Sequence, residues 1–77
     1  MKREIEELVK KGCVIEKNGN SICDLRKILK YPLKTDTPYQ VCSNRAKYNK
    51  ETKMLEGDWL YEELDEAIES FTKEAKI

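Results

Sequence analysis

The stretch that decides the fold is Cys13-Val14-Ile15-Glu16-Lys17-Asn18-Gly19-Asn20-Ser21-Ile22-Cys23. Its central dipeptide, Asn18-Gly19, supplies two residues that tolerate positive φ, as the middle of a type I′ turn requires. Apolar residues stand on both sides of this dipeptide, so the stretch predicts a β-hairpin. A two-residue loop would place Ile15 opposite Ile22, and Val14 opposite Cys23. We therefore expect an antiparallel sheet that begins with this hairpin.

A helix is predicted immediately before the hairpin, over residues 3–11. Ile5, Leu8 and Val9 fall at helical spacing and form one apolar stripe. Gly12 follows the stripe, and glycine is the usual residue for the left-handed conformation that ends a helix.

Residues 21–33 allow two interpretations. Apolar residues from Cys23 to Leu33 alternate, which is typical of a strand. A helical stripe through Ile22, Leu25 and Ile28, with Ser21-x-x-Asp24 resembling a capping box, indicates a helix instead. We favour the strand because the hairpin turn demands a partner for residues 13–17. The helix remains the alternative.

The second half of the chain predicts further strands and a long helix. A third strand begins at Tyr39 and runs toward Tyr48, and a short fourth strand over 53–56 is expected to stop at Gly57. Asp58 is expected to cap a final helix that runs to about Lys76. The apolar face of that helix is predicted to consist of Leu60, Leu64, Ile68, Phe71 and Ala75.

These elements predict an α+β fold. A small antiparallel sheet of three to four strands would be covered by an N-terminal and a C-terminal helix, in the order α-β-β-β-(β)-α. With 77 residues the chain has room for one domain, over residues 1–77, and for a thin core. No apolar run approaches the roughly 20 residues that span a bilayer, and no signal peptide is apparent. We expect a soluble protein of the cytoplasm without a membrane partner.

Composition excludes several kinds of chemistry. The chain has no histidine, which removes the commonest general base and metal ligand. Its three cysteines are Cys13, Cys23 and Cys42, and their spacing matches no zinc motif. Asp24, next to Cys23, could complete a set of four ligands, but reduced thiols in core strand positions are the simpler interpretation. We predict no catalytic residue, no metal and no cofactor, and therefore a protein that is not an enzyme.

The two halves of the chain differ in charge. Residues 1–50 hold 12 basic and 6 acidic side chains, whereas residues 51–77 hold 3 basic and 9 acidic ones. Such asymmetry indicates either a charged partner or neutralisation of one half by the other. We predict that the final helix presents an acidic face to a protein partner with a basic groove. Its residues would be Asp58, Glu62, Glu63, Asp65, Glu66 and Glu69.

This size and charge pattern is similar in type to that of small inhibitors of nucleases from phages and mobile elements, including anti-CRISPR proteins. The analogy rests on no sequence motif. It implies steric occlusion of a nucleic-acid-handling host protein, with carboxylates standing in for phosphates.

A nucleic-acid-binding module is the alternative hypothesis. It would use basic and aromatic side chains of residues 26–50, provided that they share one side of the sheet. The candidates are Arg26, Lys27, Lys30, Tyr39, Arg45 and Lys47. Zero net charge counts against this hypothesis, since such modules are usually basic. The sequence leaves open whether identical chains associate.

Overall fold

The computed structural model describes the backbone of residues 2–29, 34–52 and 54–76, and their side chains except at positions 44–49 and 54–58. The elements in chain order are α1 (Lys2–Lys10), β1 (Ile15–Lys17), β2 (Asn20–Asp24), α2 (Leu25–Ile28), β3 (Tyr39–Asn49), β4 (Met54–Tyr61) and α3 (Leu64–Ala75). The strands form one antiparallel sheet in the order β1-β2-β3-β4. The predicted α+β architecture is confirmed.

The first hairpin forms as its turn dipeptide predicts. Asn18 and Gly19 both adopt positive φ, of 50° and 78°. Ile15 lies opposite Ile22, as expected, but β1 begins at Ile15, so the predicted pairing of Val14 with Cys23 is not part of the ladder. Before the hairpin, α1 ends at Lys10 and Gly12 takes the left-handed φ of 93°.

Residues 21–33 divide between the two interpretations. β2 ends at Asp24, and a single helical turn, α2, follows at once. The prediction of a continuing strand is wrong over residues 25–29, because Asp24 caps α2 with its own side chain, which accepts from the backbone N–H of Arg26. Residues 30–33 lie outside the described residues. The predicted capping box beginning at Ser21 is also wrong, since Ser21 pairs with Cys42 inside the sheet.

The boundary between β4 and α3 lies later than the sequence predicts. β4 continues through Gly57 to Tyr61, because its residues pair with β3 as far as Tyr39. Asp58 therefore lies in a strand and does not cap the helix, and Leu60 lies outside the helical stripe. α3 begins at Leu64, and Glu63 occupies its N-cap position without a side-chain capping bond.

The core lies between the sheet and the two long helices, which pack against each other and against the strands. Ile22 and Val41 face each other across β2 and β3 and are fully buried. α3 supplies five of the nine buried residues of this cluster, and its Phe71 is the largest fully buried side chain. Since cross-strand partners share a face, Cys23, Gln40 and Leu60 form a row on the opposite face of the sheet.

β3 and β4 extend beyond the rest of the sheet. β2 pairs with β3 only as far as Ser43, whereas β3 continues to Asn49 and returns as β4. The pairing of β3 with β4 shifts between Cys42 and Lys47. The far part of this hairpin, including its turn at residues 50–52, projects past the end of β2.

Candidate functional site

The candidate site is a group of exposed carboxylates around the start of α3, here called the acidic surface. Its members are Glu62, Glu63, Asp65, Glu66 and Glu69, all exposed. The structure brings these five predicted residues together, but not as one helix face. Glu62 and Glu63 belong to the turn between β4 and α3, and only the other three lie on the helix. The backbone of Asp58 lies in β4, and its side chain is outside the described part of the structure.

Helical spacing explains why three carboxylates of α3 point outward. The buried residues Leu64, Ile68 and Ala75 follow one line along the helix. At about 100° per residue, Asp65 and Glu69 lie roughly 40° apart, on a flank of the helix away from that line. Glu66 lies about 60° further round. The fold therefore requires none of these charges for its core.

Within the described part of the structure, the acidic surface is largely unneutralised. Among the described side chains, the ion pair between Lys2 and Asp65, at 3.6 Å, joins the basic half of the chain to the acidic half. The other ion pairs join residues of the basic half to each other. Within that described set, Glu62, Glu63, Glu66 and Glu69 have no ion-pair partner. Ion pairs among the described side chains therefore do not account for their charges.

The dipole of α3 accounts for part of the charge. Asp65 and Glu66 lie in the first turn of the helix, where an acidic residue contributes about 0.3–1 kcal/mol. Glu69 lies beyond the first turn, and Glu62 precedes the N-cap position. Helix stabilisation therefore explains the positions of Asp65 and Glu66 well, and those of Glu62 and Glu69 poorly.

The alternative basic surface is not assembled as predicted. Arg26 and Lys27 lie on α2 and not on a strand, because the helix begins directly after Asp24. The condition that they share a sheet face with Arg45 and Lys47 is therefore wrong. Arg45 and Lys47 lie on the projecting part of β3, with side chains outside the described structure, and Lys30 lies outside the described residues.

Arg26 is held by a buried carboxylate. Its Nη2 donates to Asp24 Oδ2 at 2.9 Å, its Nε donates to Oδ1 at 3.1 Å, and its guanidinium lies over the Tyr39 ring. Tyr39 in turn packs against the core. The bond to Asp24 raises the pKa of Arg26 well above its ordinary value. Two of the residues proposed to bind nucleic acid thus have a structural role, which the sequence signal of Asp24 as a helix cap could have revealed.

The cysteines and the concave surface add no obvious chemistry. Cys23 is buried and Cys42 half-buried, but Cys13 is exposed, so its predicted core position is wrong. In the described part of the chain, no group of three or more Cys, Asp and Glu side chains could hold a metal ion. A shallow groove lies beside the first hairpin, between residues 16–21 and Cys42 and Ser43. The residues that line this groove do not form a set of catalytic groups.

Comparison with known proteins adds no functional assignment. The chain has no significant match to a protein-family model, a curated protein or a solved structure. Within residues 2–29, 34–52 and 54–76, no helix is long and apolar enough to cross a membrane.

Proposed function

We propose that this protein is a non-enzymatic inhibitor or regulator that binds a protein partner through the acidic surface. The observation that carries the proposal is that Glu62, Glu63, Glu66 and Glu69 find no cation among the described side chains, although the chain has as many basic as acidic residues. Concentrated, unpaired charge raises the rate of encounter with an oppositely charged surface. The fitting partner has a groove lined by lysine and arginine.

The spacing of the carboxylates suits a groove that normally holds nucleic acid. From Asp65 to Glu69, α3 rises about 6 Å and carries three carboxylates, which is a mean spacing of about 3 Å along the axis. Duplex DNA carries one charge per about 1.7 Å of its axis. Over this short distance the helix thus has a linear charge density of about half that of duplex DNA, close to the one charge per about 3.4 Å of a single strand. Carboxylates at this density can replace a few phosphates at the entrance of such a groove.

The rest of the molecule would act by occlusion. Its dimensions of 38 × 32 × 18 Å are enough to block a groove that is wide enough for a duplex. The absence of histidine from the whole sequence agrees with a role that needs no proton transfer. We propose that the target is a nucleic-acid-handling host protein and that the inhibitor belongs to the anti-CRISPR-like type carried by phages and mobile elements, with the cytoplasm as the place of action.

A charge-reversal experiment tests the proposal. Glu62→Lys combined with Glu66→Lys should lower the melting temperature by a few degrees and leave the protein folded, because surface carboxylates contribute little to stability and only Glu66 of the two lies in the first turn of α3. Glu16→Lys combined with Glu74→Lys is the matched control, since both residues are exposed, the change in net charge is the same, and Glu74 lies at the far end of α3.

The readout is capture of partners from a host lysate by the wild type and the two variants. A true partner should bind the wild type and the control, be lost with the Glu62→Lys, Glu66→Lys variant, and be released by duplex DNA at constant salt. A partner that binds this variant normally would contradict the proposal. If instead the protein itself retards DNA or RNA in a gel at moderate salt, the basic residues of the projecting hairpin become the better candidates.

A further inference from the structure

The two edges of the sheet differ in how they are protected. β1 is three residues long and carries Glu16 and Lys17, and short, charged strands discourage pairing with another chain. β4 is eight residues long and pairs with β3 on one side only, within the described part of the chain. Its register with β3 is regular from Asp58 to Tyr61, without lysine or proline in that segment. β4 is therefore the edge at which another strand can pair.

The hydrogen-bond pattern shows which groups of β4 point outward. A two-residue hairpin loop makes Lys17 and Asn20 a hydrogen-bonded pair, so the backbone groups of Ser21 point the other way, toward β3. The backbone of Leu25, four residues after Ser21, has the same orientation, because its N–H donates to the Pro38 carbonyl. Odd-numbered residues of this part of the chain thus face β3.

The same alternation continues across β3 into β4. Ser21 exchanges hydrogen bonds with Cys42, so the backbone groups of Val41 face β4 and bond to Trp59. In β4 it is therefore Asp58 and Leu60 whose N–H and C=O groups point to the free edge.

Apolar side chains accompany this edge on both faces of the sheet. Trp59 lies opposite the buried Val41 yet is 39% exposed, and Leu60, on the other face, is 51% exposed. An added strand would cover both side chains. The acidic surface begins one residue after β4 ends, at Glu62.

We infer that the free edge of β4 receives an extended basic segment of the partner as a fifth strand. Main-chain bonds to Asp58 and Leu60 would hold the segment, Trp59 and Leu60 would contact its apolar residues, and Glu62 and Glu63 would attract its lysines or arginines. The charge expected of that segment rests on the proposed function. The pairing at the edge rests on the sheet alone.

A second copy of the chain fits this edge poorly. From position 54 to position 63, β4 and the turn after it carry acidic residues at positions 56, 58, 62 and 63 and no basic residue. Antiparallel self-pairing centred on Leu60 would set position 58 opposite position 62, and centring on Trp59 would set position 56 opposite position 62. Like charges directly opposite each other destabilise a ladder. Charge complementarity therefore favours a basic segment.

Substitution of Leu60 tests the inference with a defined probe. The probe is a synthetic peptide of about eight residues, a common strand length, that alternates lysine and valine, and its control alternates glutamate and valine. Leu60→Pro removes the outward N–H without removing a bond to β3, and proline is tolerated at such edge positions. Leu60→Ala is the matched variant, because it loses the same side chain and keeps the N–H. We expect the lysine peptide to bind Leu60→Pro about tenfold more weakly than Leu60→Ala, the effect of one hydrogen bond and a blocked approach.

Amide hydrogen exchange on the wild-type protein supplies a second measurement, which decides the matter if Leu60→Pro does not fold. The lysine peptide should slow exchange at Asp58 and Leu60 and leave Trp59, already bonded to Val41, unchanged. Unaltered exchange at Asp58 and Leu60, or equal affinity of the two Leu60 variants, would overturn the inference. So would a wild-type dimer that Leu60→Pro converts to a monomer, which would make a second copy the occupant.

The two proposals fail separately. If the captured partner is lost with Glu62→Lys, Glu66→Lys but retained by Leu60→Pro, the edge inference is wrong and the acidic surface stands. If it is lost with Leu60→Pro and retained by the charge variant, the acidic surface is wrong and strand addition stands.

Discussion

The side-chain amide of Asn18, in the turn of the first hairpin, donates a hydrogen bond to the backbone carbonyl of Ala75, 2.6 Å away. The carbonyls in the last turn of a helix have no partner within the helix. Asn20 donates to the carbonyl of Glu74 at 3.4 Å and so reaches the same turn. The residue that the hairpin needs for its positive φ thus also ties α3 to the sheet. A locally required side chain has become part of the tertiary structure.

Substitutions at Asn18 should separate these two roles. Asn18→Gly keeps the turn conformation and removes only the bond to Ala75, so it should lower the free energy of unfolding by about 1 kcal/mol. Asn18→Ala should cost about 1 kcal/mol more, because alanine is strained at positive φ. Urea unfolding of both variants measures the difference. Equal stability of the two variants would show that the turn conformation contributes nothing.

Phe71→Ala should lower the free energy of unfolding by about 3–5 kcal/mol, because it leaves a cavity at the largest fully buried side chain of the core. In a domain with a total stability of roughly 5 kcal/mol, this change approaches complete unfolding. Lys73→Ala, exposed on the same helix, is the control and should change stability by less than about 0.5 kcal/mol. A melting temperature that Phe71→Ala barely alters would show that α3 does not pack on the sheet as described.

The pair formed by Asp24 and Arg26 should make stability depend on acid pH. Burial raises the pKa of Asp24, but the bonds and charge of Arg26 outweigh burial and hold the pKa below the ordinary 3.8. A carboxyl with a lowered pKa stabilises the fold above its unfolded pKa, and this contribution is lost as the pH falls through the folded value.

Asp24→Asn keeps a capping oxygen and removes the charge. We expect it to cost about 1–2 kcal/mol at neutral pH, a modest value because Arg26 is half exposed. The difference in unfolding free energy between wild type and variant should shrink below about pH 4. A difference that stays constant from neutral pH to pH 2 would contradict the charge pair as its source.

The three thiols should react in an order set by their burial. Cys13 is exposed, Cys42 is half-buried and Cys23 is buried. Alkylation of the native protein followed by mass spectrometry should modify Cys13 first and Cys23 last, at a rate limited by opening of the fold. Cys13→Ser should remove the fast phase alone. A native mass two units low, which indicates a disulfide, would contradict the expectation of reduced thiols.

Features with local causes were predictable from sequence, and those with distant causes were not. Asn18-Gly19 specified its turn and register by backbone conformation alone. Gly57 is expected to end a strand, yet β4 continues through it because the partner strand β3 continues alongside. That cause lies more than ten residues away in sequence. The same pairing moved Asp58 and Leu60 from the predicted helix into the strand.

The site shows the same division. The exposed positions of Asp65, Glu66 and Glu69 follow from helical spacing, which the sequence displays. That the acidic surface has one cationic partner among the described side chains depends on where the lysines and arginines lie in space, and no periodicity reveals this. The capture of Arg26 by Asp24 was within reach, since an aspartate before a helical turn is a common cap.

The large share of the core that α3 supplies has a consequence for the protein during its synthesis. Residues 64–75 leave the ribosome after all of the strands. Synthesis proceeds at about 5–20 residues per second, and during this interval the strands lack the helix that covers Ile22 and Val41. The first hairpin can form early, but the hydrogen bond from Asn18 to the Ala75 carbonyl, which ties it to α3, can form only after that helix has been made. A nascent chain whose strands have left the ribosome before α3 has would expose a bare apolar face beside the β4 edge strand, a combination that favours aggregation. Folding of this domain is therefore expected to finish only after the last helix has emerged.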